Sequence, residues 1–486
     1  MHSQTVNLLH SRYNPRGEAE RYINSLNLKS TIECFILIEP GLGYIIPVLR
    51  ENFQKSKIIV LHVDNSFASE EIPENVTVLH SSETEAVQNY LEKEVPEIDA
   101  SLIKIIEWRP SMNHYREAYI KLFSHAVEFI KRMDAGKRTT AVFGRRWFKN
   151  FFKNLKIIRK TVLYRTSQNP VIITGSGPGL ETALPVIKKM QNNCLIIAAS
   201  SSVMALANSG IQADIVIATD GGPWALHHIY PFYRTAENNT ALAVNLCAAL
   251  PSQSKDTPSL LLNDGSFWQS IVLHELGLPS IIIAQKGTVT ASAVELALVL
   301  SSGNIYLAGM DLSIRDIRTH VRPYGFDYLL FSGSSRFMPV YSESFIRSNL
   351  LHDGGSMDIY AAWFKNQLNS WPKRIFSLGG NNEVFEKNLP SERASCNRCT
   401  ATKVSRAAVK KTEDCFKTFP IRENPALLYR RGVNALLDAM NRSEYSQNLK
   451  TELIPMLFPG GNKVSEKQLM ATVKDTADHY AKGFNE

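Results

Sequence analysis

The sequence predicts an α/β fold built around a parallel sheet that helices cover on both faces. Short apolar runs recur between residues 166 and 380, and helix-length segments separate the first of them. Each run is followed by a small or polar residue. Continuous β-branched runs that alternate with helices are typical of a doubly covered parallel sheet, and ligands of such sheets bind beyond the carboxyl ends of the strands.

Residues 1–110 are predicted to form a small α/β domain of their own. The segment from Ile32 to Asn52 contains an apolar run, a glycine-containing turn and a helical pattern, and a second apolar run spans residues 56–64. From Asn113 to Lys160 the apolar residues recur at helical spacing. Residues 111–165 are therefore predicted to be a helical connector.

The basic charge is concentrated in that connector. The formal net charge is +8, but residues 137–160 contain nine Lys or Arg and no acid, which leaves 45 basic against 46 acidic residues elsewhere. The aromatic residues of this segment fall at helical spacing, which predicts an apolar stripe opposite a solvated basic face. Lining a channel for an anionic substrate or an acidic protein partner is the alternative. No nucleic-acid recognition module accompanies the segment, so we do not expect nucleic acid as a partner.

The predicted central domain, residues 166–380, is Rossmann-like, and residues 381–486 are predicted to form an α-helical C-terminal domain. The apolar runs assigned to central strands are VIIT (171–174), LIIAAS (195–200), IVIAT (215–219), ALAVN (241–245), LLLN (260–263), IIIAQ (281–285) and IYLAG (305–309). Residues 288–301 predict a nearly all-apolar helix that Gly303 closes.

Composition excludes several classes of protein. Six cysteines in 486 residues are too few for a disulfide scaffold, and the single CxxC of Cys396 and Cys399 lacks two further zinc ligands at fitting spacing. The first residues lack a signal-peptide pattern, and no charge-free apolar stretch reaches the ~20 residues of a membrane span. We therefore expect a cytoplasmic protein without stable membrane insertion.

A glycine-rich loop, GSGPGL (175–180), follows the first central strand. Gly175 and Gly177 permit a tight turn with close backbone approach, and Pro178 suits the first turn of the following helix. The amides at a helix amino terminus favour an anion such as phosphate, although a plain strand-to-helix turn is the alternative. Leu180 stands where the third glycine of G-x-G-x-x-G would be, and no acid ends the next strand, so we do not expect NAD binding. No G-K-[ST] follows the loop, so it is not expected to be a Walker-type phosphate loop.

Lys286, Gly287 and Thr288 form a second strand-to-helix junction with a charge, a flexible residue and a hydroxyl. Two anion sites over one sheet suit a nucleotide phosphate and a second acidic group of the substrate. Alternatively, Thr288 is a plain N-cap.

Acidic and imidazole side chains follow other strands at the same predicted edge. Asp220, Asp264 and Asp311 do not have the spacing of metal ligands, and a turn or cap role is an equal interpretation for each. His320 lies just past Asp311 in a polar loop, where a neutral imidazole could take a proton from an acceptor hydroxyl. A histidine whose hydrogen bonds are satisfied within the loop is the alternative.

Together these segments resemble the motility accessory factor (Maf) family, the glycosyltransferases that modify flagellin. The similar segments are GRRWFKN (144–150), GSGPGLE (175–181), ASSSVMALANSGIQADIVIATD (199–220), KGTVTASAVELALVLSSGNIYLAGMDLS (286–313), Thr319-His320 and IYAAWFKNQL (359–368). Two features depart from the family: Gly179 stands where serine is usual, and Val-Arg-Pro-Tyr follows His320.

The resemblance implies a central domain similar to bacterial sialyltransferases. It also implies transfer of a nonulosonic acid, of pseudaminic or legionaminic type, from a CMP-activated donor to Ser or Thr of flagellin, as flagellar assembly and motility require. We expect the reaction to be inverting and to need no metal or other cofactor. The predicted catalytic residues are His320, as base, and Asp311. The predicted donor-binding residues are Gly175, Ser176, Gly177, Pro178, Ser200, Ser201, Thr219, Asp220, Asn245, Lys286, Gly287 and Thr288.

Two alternatives stay open at this point. The central domain also resembles archaeal 6-hydroxymethylpterin diphosphokinases. Such an enzyme would need ATP and Mg²⁺, and the scattered aspartates are the only sequence feature that supports this alternative. The other alternative is a non-catalytic flagellin-binding assembly factor that keeps the fold without turnover.

Overall fold

The computed structural model of the chain describes residues 9–67, 75–95, 100–235, 240–284, 287–352, 356–368, 371–379, 381–390, 416–459 and 464–481. Lys286, Cys396 and Cys399 lie outside these ranges. The chain divides into two compact units, Met1–Val142 and Phe143–Glu486. The boundaries of the four predicted segments stay a prediction. Within the described ranges, no helix is long and apolar enough to cross a membrane.

The first unit contains a four-stranded sheet in the order β3-β2-β1-β4, with every strand parallel to its neighbours. Its strands are β1 (Cys34–Ile38), β2 (Lys57–His62), β3 (Val76–His80) and β4 (Ile103–Glu107). Its helices are α1 (Pro15–Ser25), α2 (Ile45–Asn52), α3 (Thr84–Glu94), α4 (Arg109–His114) and the first part of α5 (Arg116–Leu155).

Side chains of this sheet alternate between two hydrophobic layers. Phe35 and Leu37 of β1 pack in a cluster with residues of α1 and α2, whereas Ile36 packs on the other side with residues of α3 and α5. Because both faces are covered, the strands are apolar at nearly every position. The prediction of a small α/β arrangement near the amino terminus is therefore confirmed.

The second unit contains a ten-stranded sheet in the order β13-β12-β6-β7-β8-β9-β10-β5-β14, with β11 paired to β10. Its strands are β5 (Lys160–Tyr164), β6 (Val171–Thr174), β7 (Leu195–Ala199), β8 (Ile215–Ala218), β9 (Ala241–Asn245), β10 (Ser259–Asn263), β11 (Ser280–Ile282), β12 (Ile305–Ala308), β13 (Ile375–Ser377) and β14 (Phe416–Pro420). All pairings are parallel except that of β14 with β5.

Helices connect and cover these strands. They are α6 (Leu180–Met190), α7 (Val203–Asn208), α8 (Ala225–Thr235), α9 (Phe267–Glu275), α10 (Val289–Leu300), α11 (Asp327–Ser332), α12 (Val340–His352), α13 (Ser356–Gln367), α14 (Glu383–Asn388), α15 (Pro425–Met440), α16 (Ser443–Leu457) and α17 (Glu466–Ala481). Ile172 and Ile196 face a cluster that includes α6, α8 and α15, while Val171 and Ile173 face a cluster that includes α10. The predicted parallel sheet with helices on both faces is confirmed, and all seven predicted central strands are present.

One strand lies in a region for which the sequence indicated helices. Phe416–Pro420 forms β14, which pairs antiparallel with β5 and places Phe416 opposite Tyr164. The two rings meet edge to face with centroids 5.0 Å apart. An aromatic cross-strand pair of this kind stabilises the extended conformation. The prediction of helices for this region was therefore wrong for Phe416–Pro420.

Candidate functional site

The candidate site lies where the strand order of the central sheet reverses. From β6 the chain proceeds through β7, β8, β9 and β10 in one direction, and β12 then pairs with the opposite side of β6. The loop after β6 and the loop after β12 are therefore neighbours at the carboxyl edge. In open α/β sheets this switch point is where ligands bind.

The glycines of the 175–180 loop let it lie directly against the end of β12. The amide of Gly175 donates to the Ala308 carbonyl at 2.8 Å, and the amide of Gly177 donates to the Gly309 carbonyl at 2.9 Å. A Cβ at Gly175 would lie 2.4 Å from the Gly309 oxygen, and a Cβ at Gly177 would lie 2.0 Å from a carboxylate oxygen of Asp311. These glycines are thus required by close packing between two loops.

Asp311 occupies the amino terminus of α6. Its two carboxylate oxygens accept the amide of Gly179 at 2.9 and 3.0 Å, and its side chain is buried. Burial raises its pKa to about 6, although the Gly179 amide opposes that shift. The amides of Gly175, Gly177 and Gly179 are all bonded within the protein, so the predicted phosphate contact, which stays a prediction, would depend on other atoms of the loop.

Serine hydroxyls supply such atoms. The Ser201 hydroxyl donates to that of Ser176 at 2.8 Å, and Ser202 bonds to Thr174 at 2.9 Å. Both pairs join the end of β6 to the start of the segment after β7. Ser176 and Ser201 are only partly buried, whereas Ser200 and Ser202 are buried.

The segment that contains His320 is tied to the same loop. The amide of Val321 donates to the carbonyl of Ser176 at 2.8 Å. Glu181, at the start of α6, accepts from the Arg318 guanidinium at 2.7 Å and from the Arg322 amide at 3.4 Å. The structure thus brings His320 to the glycine loop, as the predicted site requires.

His320 is held by its immediate neighbours. Its Nδ1 lies 2.9 Å from the Thr319 hydroxyl, and its ring stacks on Tyr324 with centroids 4.1 Å apart. Burial, with a smaller contribution from His228, lowers its pKa to about 3. The imidazole is therefore neutral at neutral pH. If Nδ1 carries the proton and Thr319 accepts it, Nε2 has a lone pair that can accept a proton.

The loop between Asp311 and Thr319 adopts an uncommon backbone conformation. Leu312, Asp316 and Ile317 have φ values of 47°, 49° and 60°. The left-handed region costs a non-glycine residue about 1–2 kcal/mol, so its neighbours must hold this loop in place. The Glu181 contacts are part of that support.

An aromatic cluster beside His320 was not foreseen from the sequence. His228, in α8, lies near Tyr324, with the tyrosine hydroxyl 3.4 Å from His228 Nε2, and His227 Nδ1 lies 2.7 Å from the Tyr328 hydroxyl. Phe326 packs on both histidines. Burial lowers the pKa of His228 to about 4.

The second strand-to-helix junction also approaches the switch point. Thr288 caps α10 by accepting the Ala291 amide at 3.0 Å, as the N-cap interpretation predicts. Its neighbour Thr290 would contact a Cβ at Gly175 at 3.2 Å. Gly287 has a φ of 80°, and a Cβ there would lie 2.9 Å from Tyr360, a residue that sequence analysis did not assign to the site.

Other predicted residues lie farther along the edge. Thr219 and Asp220 follow β8 and Asn245 ends β9, two and three strands from β6, which at ~4.8 Å per strand is roughly 10 to 15 Å. Asp220 accepts the Gly222 amide at 2.7 Å, and Asn245 accepts the Cys247 amide at 2.7 Å. These two side chains therefore stabilise local turns, while donor binding by them stays a prediction.

The basic helical segment forms hydrogen bonds with the loops after β8 and β9. Asn150 donates to the carbonyls of Gly221 and Cys247 at 3.0 and 2.9 Å, and Asn154 donates to those of Leu246 and Ala248 at 2.7 and 2.8 Å. Of the aromatic residues in the predicted stripe, Phe148, Phe151 and Phe152 lie in the core, whereas Phe143 is exposed. The carboxyl-terminal half of α5 thus positions the loops after β8 and β9.

Three comparisons place this architecture among known proteins. A family model described as 6-hydroxymethylpterin diphosphokinase MptE-like matches residues 145–316. An uncharacterized protein of Treponema pallidum (strain Nichols) is 27% identical over 282 residues, which are 57% of this chain and span only 60% of that relative. The Maf glycosyltransferase of Magnetospirillum magneticum AMB-1 has a similar structure, with a TM-score of 0.51 and 14% identity over 96% of this chain and 78% of that one. The chain therefore shares its fold with a Maf glycosyltransferase, as the resemblance predicted.

Proposed function

We propose that the chain is a glycosyltransferase that moves a nonulosonic acid from a CMP-activated donor to Ser or Thr of flagellin. The observation that carries the proposal is the hydrogen bond between the Val321 amide and the Ser176 carbonyl, which sets His320 beside the glycine loop at the switch point. The shared fold with a Maf glycosyltransferase supports the same reaction class. In this proposal the reaction takes place in the cytoplasm, needs no metal and inverts the anomeric centre.

The leaving group determines what the loop must do. CMP departs with negative charge on its phosphate, so hydrogen-bond donors directed at that charge lower the barrier. The Ser176 and Ser201 hydroxyls lie at the loop, and the Gly287 and Thr288 junction lies at the next helix amino terminus. We assign the phosphate to the serine pair and an acidic group of the sugar to the junction, where Lys286 would add its charge.

The acceptor hydroxyl needs a base. A neutral His320 can accept a proton, but a group with a pKa of about 3 is a weak base near neutral pH. A phosphate anion beside the ring favours its charged form and raises its pKa, so we expect the donor to activate His320. Asp311, with its pKa of about 6, is closer to the optimum, but both of its oxygens already bond to Gly179.

Intact-mass analysis of flagellin tests the reaction. Flagellin incubated with the purified chain and a CMP-nonulosonic acid should gain the mass of one or more sugars. His320→Gln should lower the rate by about a hundredfold or more, the usual contribution of a general base. His274→Gln changes an exposed histidine of α9 and is the matched control. Unchanged flagellin mass with active donor would contradict the proposal.

A pterin diphosphokinase is the second candidate, because the family model of that description covers residues 145–316. Ligand-induced thermal stabilisation separates the two enzymes. CMP should raise the melting temperature if the transferase proposal is right, and ATP with Mg²⁺ should do so if the kinase is right. Stabilisation by flagellin alone would support the non-catalytic assembly factor.

A further inference from the structure

The amino-terminal unit contains a second switch point, which the proposed function does not use. Its strand order, β3-β2-β1-β4, is that of the first half of a doubly wound nucleotide-binding fold. In that half-fold the ligand lies outside the carboxyl ends of the first and fourth strands. Here the loop 39–44 follows β1 and opens α2, and Trp108 follows β4.

The loop after β1 has the backbone that such a site needs. Gly41 and Gly43 have φ values of 60° and 71°, which side chains other than glycine rarely adopt. A Cβ at Gly43 would lie 2.9 Å from the Cδ1 atom of Ile46, the tip of a flexible side chain in α2. Rotation of that side chain would let a ligand atom approach the Gly43 backbone closely, as the second glycine of a dinucleotide loop allows.

A buried imidazole nitrogen that has no hydrogen-bond partner among the described residues lies at the same place. His10 is 7% exposed, and its Nε2 accepts the Leu42 amide at 3.0 Å, so the proton of the neutral ring is on Nδ1. Among the described residues nothing bonds to that Nδ1. The ring lies 5.5 Å from that of Trp108, which places it in the crevice between the loop and the end of β4. A buried donor of this kind calls for an acceptor atom from a ligand.

An acid stands where a ribose would be held. Asp64 lies two residues past β2 and follows Gly43 at about the 20-residue offset at which an acid bonds to a ribose diol. It is exposed, and its Oδ1 accepts the Ser66 amide at 2.7 Å, which fixes the direction of the carboxylate.

A second acid, Glu39, limits the charge that a ligand can carry at its 5′ end. Glu39 is 1% exposed, accepts the Val63 amide at 2.6 Å and contacts His62 Nδ1 at 2.9 Å. This carboxylate lies at the first position of the loop, where a pyrophosphate would be repelled. We propose that the crevice between β1 and β4 binds a ribonucleoside whose ribose diol bonds to Asp64 and whose 5′ group is uncharged or cationic.

Binding to the full chain tests this site. The probes are adenosine, guanosine, cytidine, uridine, S-adenosylmethionine and NAD, each followed by calorimetry and saturation-transfer NMR. At least one nucleoside or S-adenosylmethionine should bind, and its 2′-deoxy counterpart should bind about tenfold more weakly, the usual loss with one charge-assisted hydrogen bond. NAD should bind no more tightly than adenosine.

Variants locate the binding. Asp64→Asn keeps an oxygen for the Ser66 amide but removes the charge, and it should weaken binding about tenfold. Glu92→Gln changes an exposed acid of α3 and should leave binding unchanged. The proposal is overturned if none of the probes binds, if Asp64→Asn binds as tightly as the wild type, or if binding is lost with Gly177→Ala and kept with Asp64→Asn. Flagellin glycosylation is unaffected by these outcomes, so failure here is distinct from failure of the proposed function.

Discussion

The two sheets of this chain each contain a Gly-x-Gly loop, but different groups pack against the two loops. Each has a Gly-x-Gly loop that follows a buried parallel strand at a switch point. In the central sheet, backbone and the Asp311 carboxylate fill the space over Gly175 and Gly177. In the amino-terminal sheet, the His10 side chain fills the space over Gly41, and the tip of the Ile46 side chain lies over Gly43, 2.9 Å from a Cβ placed there. A glycine pair thus indicates close approach, but what approaches depends on a distant segment.

The largest expected effect contrasts Gly175→Ala with Gly41→Ala. A Cβ at Gly175 would be 2.4 Å from a backbone oxygen that cannot move away, so we expect a loss of about 3 kcal/mol in the free energy of unfolding. At Gly41 the obstacle, at 2.5 Å, is a side chain, so the main cost is the positive φ, about 1–2 kcal/mol. Urea unfolding measures both values. Equal losses would show that the nature of the neighbour does not matter.

A double variant sharpens this contrast. If Gly41→Ala acts partly by displacing His10, then combining it with His10→Ala should cost less than the sum of the two single variants, by about 0.5 kcal/mol or more. Strict additivity in urea unfolding would mean that backbone strain accounts for the whole effect at Gly41.

The contacts made by Asp311 and His10 show which features of the fold the sequence could not predict. Buried strands, the loops after them and the placement of Asp311 on the rim follow from local apolar patterns. The bond from Asp311 to Gly179 joins residues 132 positions apart, and that from His10 to Leu42 joins residues 32 apart. The first depends on strand order and the second on where the amino-terminal segment packs, and local patterns encode neither. The aromatic cluster of His228 and Tyr324 escaped prediction for the same reason.

The next effect is a pH dependence that the central site should have. Because the folded-state pKa of Asp311 is about 6, above its ordinary value of 3.8, the folded state favours the protonated acid. Its contribution to stability is therefore complete below about pH 4 and is lost as the pH rises through 6. The free energy of unfolding should fall by on the order of 2 kcal/mol over this range. Each pKa unit between the folded and the ordinary value corresponds to about 1.36 kcal/mol, and solvent screening reduces the total.

Asp311→Asn isolates that effect, since the amide oxygen can still accept from Gly179 but does not titrate. The free energy of unfolding of the wild type, minus that of the variant, should fall between pH 4 and 7 and be flat above. Asp220→Asn, which alters an exposed acid on the same sheet edge, controls for the loss of a rim carboxylate. A difference that stays constant from pH 4 to 8 would refute the raised pKa.

The smallest effect concerns a glycine with no steric reason to be one. Gly136 lies within α5, and a Cβ there would meet nothing within 4 Å. Alanine removes backbone entropy from the unfolded chain and has the higher helix propensity, so Gly136→Ala should raise the free energy of unfolding by about 0.5–1 kcal/mol. The same urea titrations measure it, with the opposite sign to Gly175→Ala. A destabilised Gly136→Ala would mean that glycine-to-alanine changes cost stability here without any steric obstacle. The contrast between the two loops would then lose its baseline, because the losses at Gly175 and Gly41 could no longer be assigned to their neighbours.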